Sequence, residues 1–264
     1  MVPPKAGHSK KRIWSIRLFR LRRICLRQKL YPIGFAKGGT LQVYSSMKKN
    51  TLLTTILLIF LLLGWPFLSY VVMQNAKDQI PQGLTSPATQ LYLPTMIVEW
   101  LIFLWIFLVL KRGEEDLKSI GWKSLSWKNL LIGLLFLGFA NIVLVGLGSL
   151  FHISVTKEIK YLLPKTFLDK LLWILMSLTA AICEETGFRG YVLTKLNSFL
   201  SNWWLTVLVS SLFFGLGHLY QGWGGTILTG IYGLLFSLLF IWRKSLIPGV
   251  LAHFLQDAIA MFYI

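Results

Sequence analysis

Seven apolar runs, each about as long as a bilayer is thick, follow one another along the chain. They cover residues 51–73, 91–110, 129–151, 167–193, 202–220, 225–242 and 245–262. About 20 apolar residues in a helix cross the ~30 Å hydrocarbon core. At that depth no water satisfies backbone polar groups, so spanning segments are helices or closed barrels. Runs of this length predict helices, and the expected fold class is all-α: a polytopic integral membrane protein with about seven transmembrane helices. At 55% hydrophobic, the composition argues against an ordinary soluble domain. Pro66 and Pro94 are expected to kink or start their helices rather than abolish them. The run 51–73 follows Lys48 and Lys49 as a signal sequence would, but it is too long for an h-region. No Ala-x-Ala site follows it, so it reads as a retained first span.

The net charge of +17 is unevenly placed. Residues 1–49 hold 13 of the 27 lysines and arginines, and no acid precedes Asp78. Between Lys10 and Leu30 the bases alternate with Ile13, Trp14, Ile16, Leu18 and Phe19, which suits a basic amphipathic helix on an anionic membrane face. Nothing beyond charge supports nucleic-acid binding, and none is expected. Met47-Lys48-Lys49-Asn50 ahead of an apolar run also looks like a membrane-protein start. Residues 1–46 are therefore read as a basic N-terminal segment or as an extension upstream of the true start. Mass spectrometry of the mature N-terminus distinguishes the two. Residues 47–166 then form the N-terminal transmembrane helices and 167–264 a C-terminal core.

Basic residues also orient the spans. Loop 111–128 carries Lys111, Arg112, Lys118, Lys123 and Lys128, and the turn before the last span carries Arg243 and Lys244. Alternate loops are poorer: 74–90 has only Lys77, and 221–224 has no charge. Loop 152–166, with three lysines against Glu158, fits least well. The positive-inside rule favours a cytoplasmic N-terminus. The two cysteines, Cys25 and Cys183, make no disulfide framework or CxxC metal pair.

Against this apolar background a few ionisable groups stand out. Glu184 and Glu185 lie in the run Ala180-Ala-Ile-Cys-Glu-Glu-Thr-Gly-Phe-Arg-Gly190. A carboxylate at the centre of a span costs on the order of 2.5–3.5 kcal/mol on the insertion scale, and such groups are functional candidates. Residues four apart on a helix share a face, whereas adjacent ones diverge by ~100°. Glu185 and Arg189 can therefore pair, which leaves Glu184 pointing elsewhere and free to accept a proton. His218 ends the run Phe213-Phe-Gly-Leu-Gly-His218, and His253 and Asp257 share a face of the last span. With Lys195, Asn202 and Ser245 as inner-edge markers, Glu184 lies about 16 Å in, His218 about 24 Å and His253 about 12 Å, at ~1.5 Å per residue. Three polar groups at a similar depth predict one polar intramembrane cavity.

A carboxylate with two imidazoles suits water activation, the acid taking a proton and later returning it. The same groups could hold zinc as an open His2Glu site, although the HExxH spacing is absent. Two carboxylates flanking a glycosidic bond are excluded, because adjacent helical residues do not face each other. A proton-coupled transporter would also use buried carboxylates, but no inverted repeat is evident. Glu99, within the second span, has no partner in the sequence, and a hydrogen bond to a neighbouring helix or a shifted span boundary explains it better than catalysis.

Glu184-Glu185-x-x-x-Arg189, Phe214-x-x-x-His218 and His253-x-x-x-Asp257, in that order, resemble the three motifs of the CPBP (Abi) family of intramembrane proteases. That family includes the type II CAAX prenyl endopeptidases and bacterial relatives linked to bacteriocin processing and immunity. The resemblance covers residues 167–264. It implies an intramembrane endopeptidase with catalytic Glu184, His218, His253 and Asp257, supported by Glu185, Arg189 and Phe214. It implies a membrane-associated peptide or protein substrate, contact with membrane lipids and a bacterial plasma-membrane location. By similarity Glu184 and His218 activate water, and His253 with residue 257 forms the oxyanion hole. The family's last position is often Asn; here it is Asp257, and an ionised Asp cannot donate to an oxyanion. A metal-free glutamate mechanism is expected, with zinc as the alternative. The competing function is non-proteolytic bacteriocin self-immunity.

Overall fold

A computed structural model describes residues 51–79, 91–153 and 163–262. The basic N-terminal segment, most of loop 74–90 and much of loop 152–166 lie outside the described residues. Every described segment is helical or a short connection, and the seven expected runs each correspond to helix.

Helix α1 covers 51–79 and contains a π-helical turn at Phe60–Gly64, where the Trp65 N–H reaches the Phe60 carbonyl. Pro66 follows at once. Its ring lacks an N–H and crowds the preceding turn, and a π-turn relieves that without ending the helix. Helix α2 is Leu93–Arg112, with Pro94 in its first turn, where a missing N–H costs nothing. Helix α3, Trp127–Leu150, starts at Ser126, whose hydroxyl accepts from the Asn129 N–H at 3.3 Å.

The expected fourth span is a composite. Helix α4, Phe167–Glu184, runs into a π-helical segment, Glu185–Val192, and then into α5, Leu193–Leu200. Helix α6 is Trp203–Leu216, α7 is Gly222–Arg243 and α8 is Ile247–Ala260. Two details of these elements are not given by the run lengths. At 14 residues each, α6 and α8 are about 21 Å long, short of the hydrocarbon thickness. His218 lies just beyond α6, at the start of a single 3-10 turn, Leu219–Gln221, rather than within a continuous helix. Among the described residues, four stretches are long and apolar enough to cross a membrane: Thr51–Val71, Leu93–Arg112, Trp127–Leu150 and Leu219–Arg243.

The composite helix sits at the centre of the packing. Helix α2 lies against α4, α8 lies between α3 and α4, and α7 packs along α6. Leu57, Leu61, Ile106 and Leu110 of α1 and α2 close over Tyr191 and Val192 of the π segment. Phe236, Tyr232, Ala140 and Ala252 fill the space between α7, α3 and α8. The α6–α7 crossing is close because Gly215 meets Gly230: a Cβ on Gly215 would lie 2.8 Å from the Thr226 carbonyl oxygen. Large apolar side chains such as Leu135, Ile142 and Val145 stay exposed along α3, as lipid-facing residues of a polytopic membrane protein do.

Polar ties join the helices near one end. Asn129 donates to Ser245 at 3.4 Å and accepts from Arg243 at 2.9 Å. Lys195 pairs with Glu115. Lys244 caps α7 in the left-handed conformation with its ammonium 4.4 Å from the centre of the Trp203 ring. Burial, with Lys123 nearby, pushes that ammonium's pKa down.

Candidate functional site

The start of α4 is fixed by a reciprocal cap. Asp169 N–H donates to the Thr166 hydroxyl at 3.1 Å, and Thr166 N–H donates to the Asp169 carboxylate at 2.9 Å. One turn on, the Trp173 indole N–H donates to the backbone oxygen of Asp257 at 2.8 Å, which sets α4 against α8. The helix then delivers Glu184 as its last regular residue, where the widened π segment begins. Inside that segment the Thr186 hydroxyl bonds back to the Ile182 carbonyl at 2.6 Å and accepts from the Trp122 indole at 3.0 Å. Such widened turns re-aim side chains and recur at functional sites.

Glu185 and Arg189 are each 1% exposed and form an ion pair at 3.2 Å. The guanidinium lies 3.9 Å from the Phe214 ring centre and 5.2 Å from that of Phe236. Aromatic faces favour a desolvated cation, so the charge is held by one carboxylate and two rings. Phe214 also stacks edge-on against Phe188 at 5.0 Å. Glu185 has a further part that the sequence does not suggest: its Oε1 lies 3.1 Å from His253 Nδ1. A carboxylate paired with Arg189 only accepts, so Nδ1 carries the proton. Gly249 makes this approach possible, because a Cβ there would sit 2.9 Å from Glu185 Oε2.

His218 Nδ1 lies 2.9 Å from the Phe214 carbonyl oxygen. A carbonyl only accepts, so this nitrogen is the donor and Nε2 of the neutral ring carries the lone pair. That Nε2 is 3.9 Å from Glu184 Oε2, and His253 Nε2 lies at the same distance from the same oxygen. Asp257 Oδ2 lies 3.4 Å from His253 Nε2, at the edge of the site, with its side chain 36% exposed. The structure thus brings Glu184, Glu185, His218, His253 and Asp257 to one place, with Arg189 and Phe214 directly behind.

Glu184 also lines a small pocket shared with Leu61, Trp65, Ile102, Cys183 and Glu99. Glu99 is the residue for which sequence reasoning preferred a hydrogen bond to a neighbouring helix, and its Oε2 has no such partner among the described residues. Helix α2 turns it inward, 3% exposed, and the neighbouring Trp100 indole is anchored on Thr179 of α4 at 3.3 Å. Its signal was present as the one acid within an uncharged run, but the partner helix lies 85 positions away in the sequence at Glu184.

The distances bear on a metal. Two ligands of a tetrahedral zinc with bonds near 2.0–2.1 Å stand about 3.3 Å apart, closer than the 3.9 Å from Glu184 to each imidazole. Among the described residues no three His, Cys, Asp or Glu side chains are placed to hold one ion.

Residues 166–259 match the family model described as Rce1-like, type II CAAX prenyl endopeptidase. The matched region begins at the Thr166 cap and takes in all three motifs, in agreement with the resemblance that they carry. No curated protein and no solved structure matches the chain.

Proposed function

We propose that this chain is an intramembrane endopeptidase in which Glu184 activates water. One observation carries the reading: a single carboxylate oxygen, Glu184 Oε2, stands 3.9 Å from Nε2 of two imidazoles brought from separate helical segments. That separation is too long for a direct hydrogen bond and suits a bridging water about 2.8 Å from each group. Glu184 and the lone pair of His218 Nε2 are both acceptors, so together they can hold both hydrogens of one water and direct its oxygen lone pair outward. As this oxygen attacks the scissile carbonyl carbon, Glu184 takes a proton. Collapse of the tetrahedral intermediate breaks the C–N bond, and Glu184 returns the proton to the leaving amine.

His253 faces carboxylate oxygens from both ring nitrogens, Glu185 at 3.1 Å and Asp257 at 3.4 Å. Held this way it donates from Nε2 to the developing oxyanion. Asp257 acts by keeping that N–H in place rather than by donating itself, which reconciles an acid with a position often occupied by Asn. Arg189 and Phe214 position Glu185 and His218. No step is assigned to a metal.

The substrate is a peptide or protein tethered to the membrane, and the chain sits in a bacterial plasma membrane with its N-terminus cytoplasmic. Purified protein in liposomes with a membrane-tethered peptide library is expected to give cleavage that Glu184→Ala and His218→Ala each abolish, a loss of about 10²–10⁴-fold or more. Cleavage retained in both variants refutes the reading. Activity that survives strong chelators, without stoichiometric zinc by elemental analysis, separates the glutamate mechanism from a metal-dependent one. A cellular immunity phenotype untouched by Glu184→Gln would favour the non-proteolytic function.

A further inference from the structure

Glu99 comes from α2, outside the region that matches the endopeptidase family, yet it opens into the same pocket as Glu184. It is 3% exposed, and its Oε2 has no hydrogen-bond partner among the described residues. The outer oxygen of Glu184 is likewise unbonded. Around Glu99 the pocket walls are apolar, with Leu61 of α1 and Ile102 one turn further along α2. The titratable groups within electrostatic reach of it are Glu184, Cys183, His253, Asp257 and Tyr220. No lysine or arginine is among them.

We propose that Glu99 is a positioning residue for Glu184: the two carboxyls share one proton, Glu99 keeps it, and its O–H orients the Glu184 carboxylate or the water beside it. The assignment of the proton follows from the surroundings. Two like charges in one apolar pocket do not both persist. Glu184 has an imidazole on each side, which favours its anion. Glu99 has aliphatic walls with no lysine or arginine in reach, and the charge of His253 is taken up by Glu185 and Asp257, which favours its neutral acid. A protonated carboxyl is an O–H donor, and the pocket offers it an acceptor, Glu184 Oε2, through a water. Fixing the base in this way raises the fraction of molecules in which its lone pair meets the attacking water. Before water is activated the pair therefore holds one proton and one negative charge.

This inference rests on the proposed hydrolytic role of Glu184, but one of its tests does not. In infrared spectra of the full chain in lipid at neutral pH, wild type is expected to show the C=O stretch of a protonated, buried carboxylic acid. Glu99→Gln is expected to remove that band, and persistence of the band overturns the assignment whether or not the protein cleaves anything. In the cleavage assay, Glu99→Leu is expected to lower kcat about 10- to 100-fold with little change in KM, the effect of losing one hydrogen bond to a charged group. Glu99→Gln, whose amide still donates, is expected to restore kcat to within about threefold of wild type by the same argument. If Glu184→Ala abolishes cleavage while Glu99→Leu matches wild type, Glu99 has no such role and the function of Glu184 stands. Should Glu99→Leu fail to fold, the infrared band and the Glu99→Gln kinetics still decide.

Discussion

A buried cation persists where its neighbours replace the water it has lost, and Arg189 shows how. It gives its charge to Glu185 at 3.2 Å and lies against the faces of Phe214 and Phe236. Removing one member of a buried pair leaves the other uncompensated, a penalty of about 3–5 kcal/mol. Arg189→Ala is therefore expected to destabilise the protein by that order, seen as a large drop in the unfolding midpoint in detergent. Cleavage should fall as well, because Glu185 is also the partner of His253 Nδ1. The Glu185–Arg189 pair is legible from four-residue spacing. The bond from Glu185 to His253 is not, since the two are 68 positions apart and meet only because Gly249 lets α8 come close.

Among the elements, α4 and the π segment behind it decide where the chemistry sits. Sequence periodicity treats 167–193 as one regular helix and turns Glu184 and Glu185 away from each other. The observed segment does separate them, yet one imidazole meets both, Nδ1 at Glu185 and Nε2 facing Glu184. The π geometry has no signature in hydrophobic period, because it depends on the fit against Trp122, Leu61 and Ile106. The Thr166–Asp169 cap, in contrast, is a local pattern. Thr166→Ala is expected to cost about 1 kcal/mol, measurable as a modest fall in thermal stability with cleavage largely preserved. His218 differs again: it reads as the end of a span, and the structure places it on the turn that closes α6, where its Nδ1 takes the Phe214 carbonyl left free at the helix end.

At the scale of the whole molecule, helix content and membrane residence follow from bulk composition and run length. Loop charge favours a cytoplasmic N-terminus, and that orientation has its own test. A periplasm-active reporter fused after Ile264 is expected to be active and a cytoplasmic one silent; the reverse result would invert the topology. The sequence by itself determined that the chain is helical and that it belongs in a bilayer, and it singled out Glu184, Glu185 and Arg189 with two histidine motifs as candidates, because helix period and desolvation cost are local properties. Only the tertiary structure decided that α2 carries Glu99 to the pocket of Glu184, that Glu185 serves His253 as well as Arg189, and that α6 and α8 are each 14 residues long. These outcomes depend on which helix faces pack together, and packing joins residues whose separation along the chain carries no periodic signal.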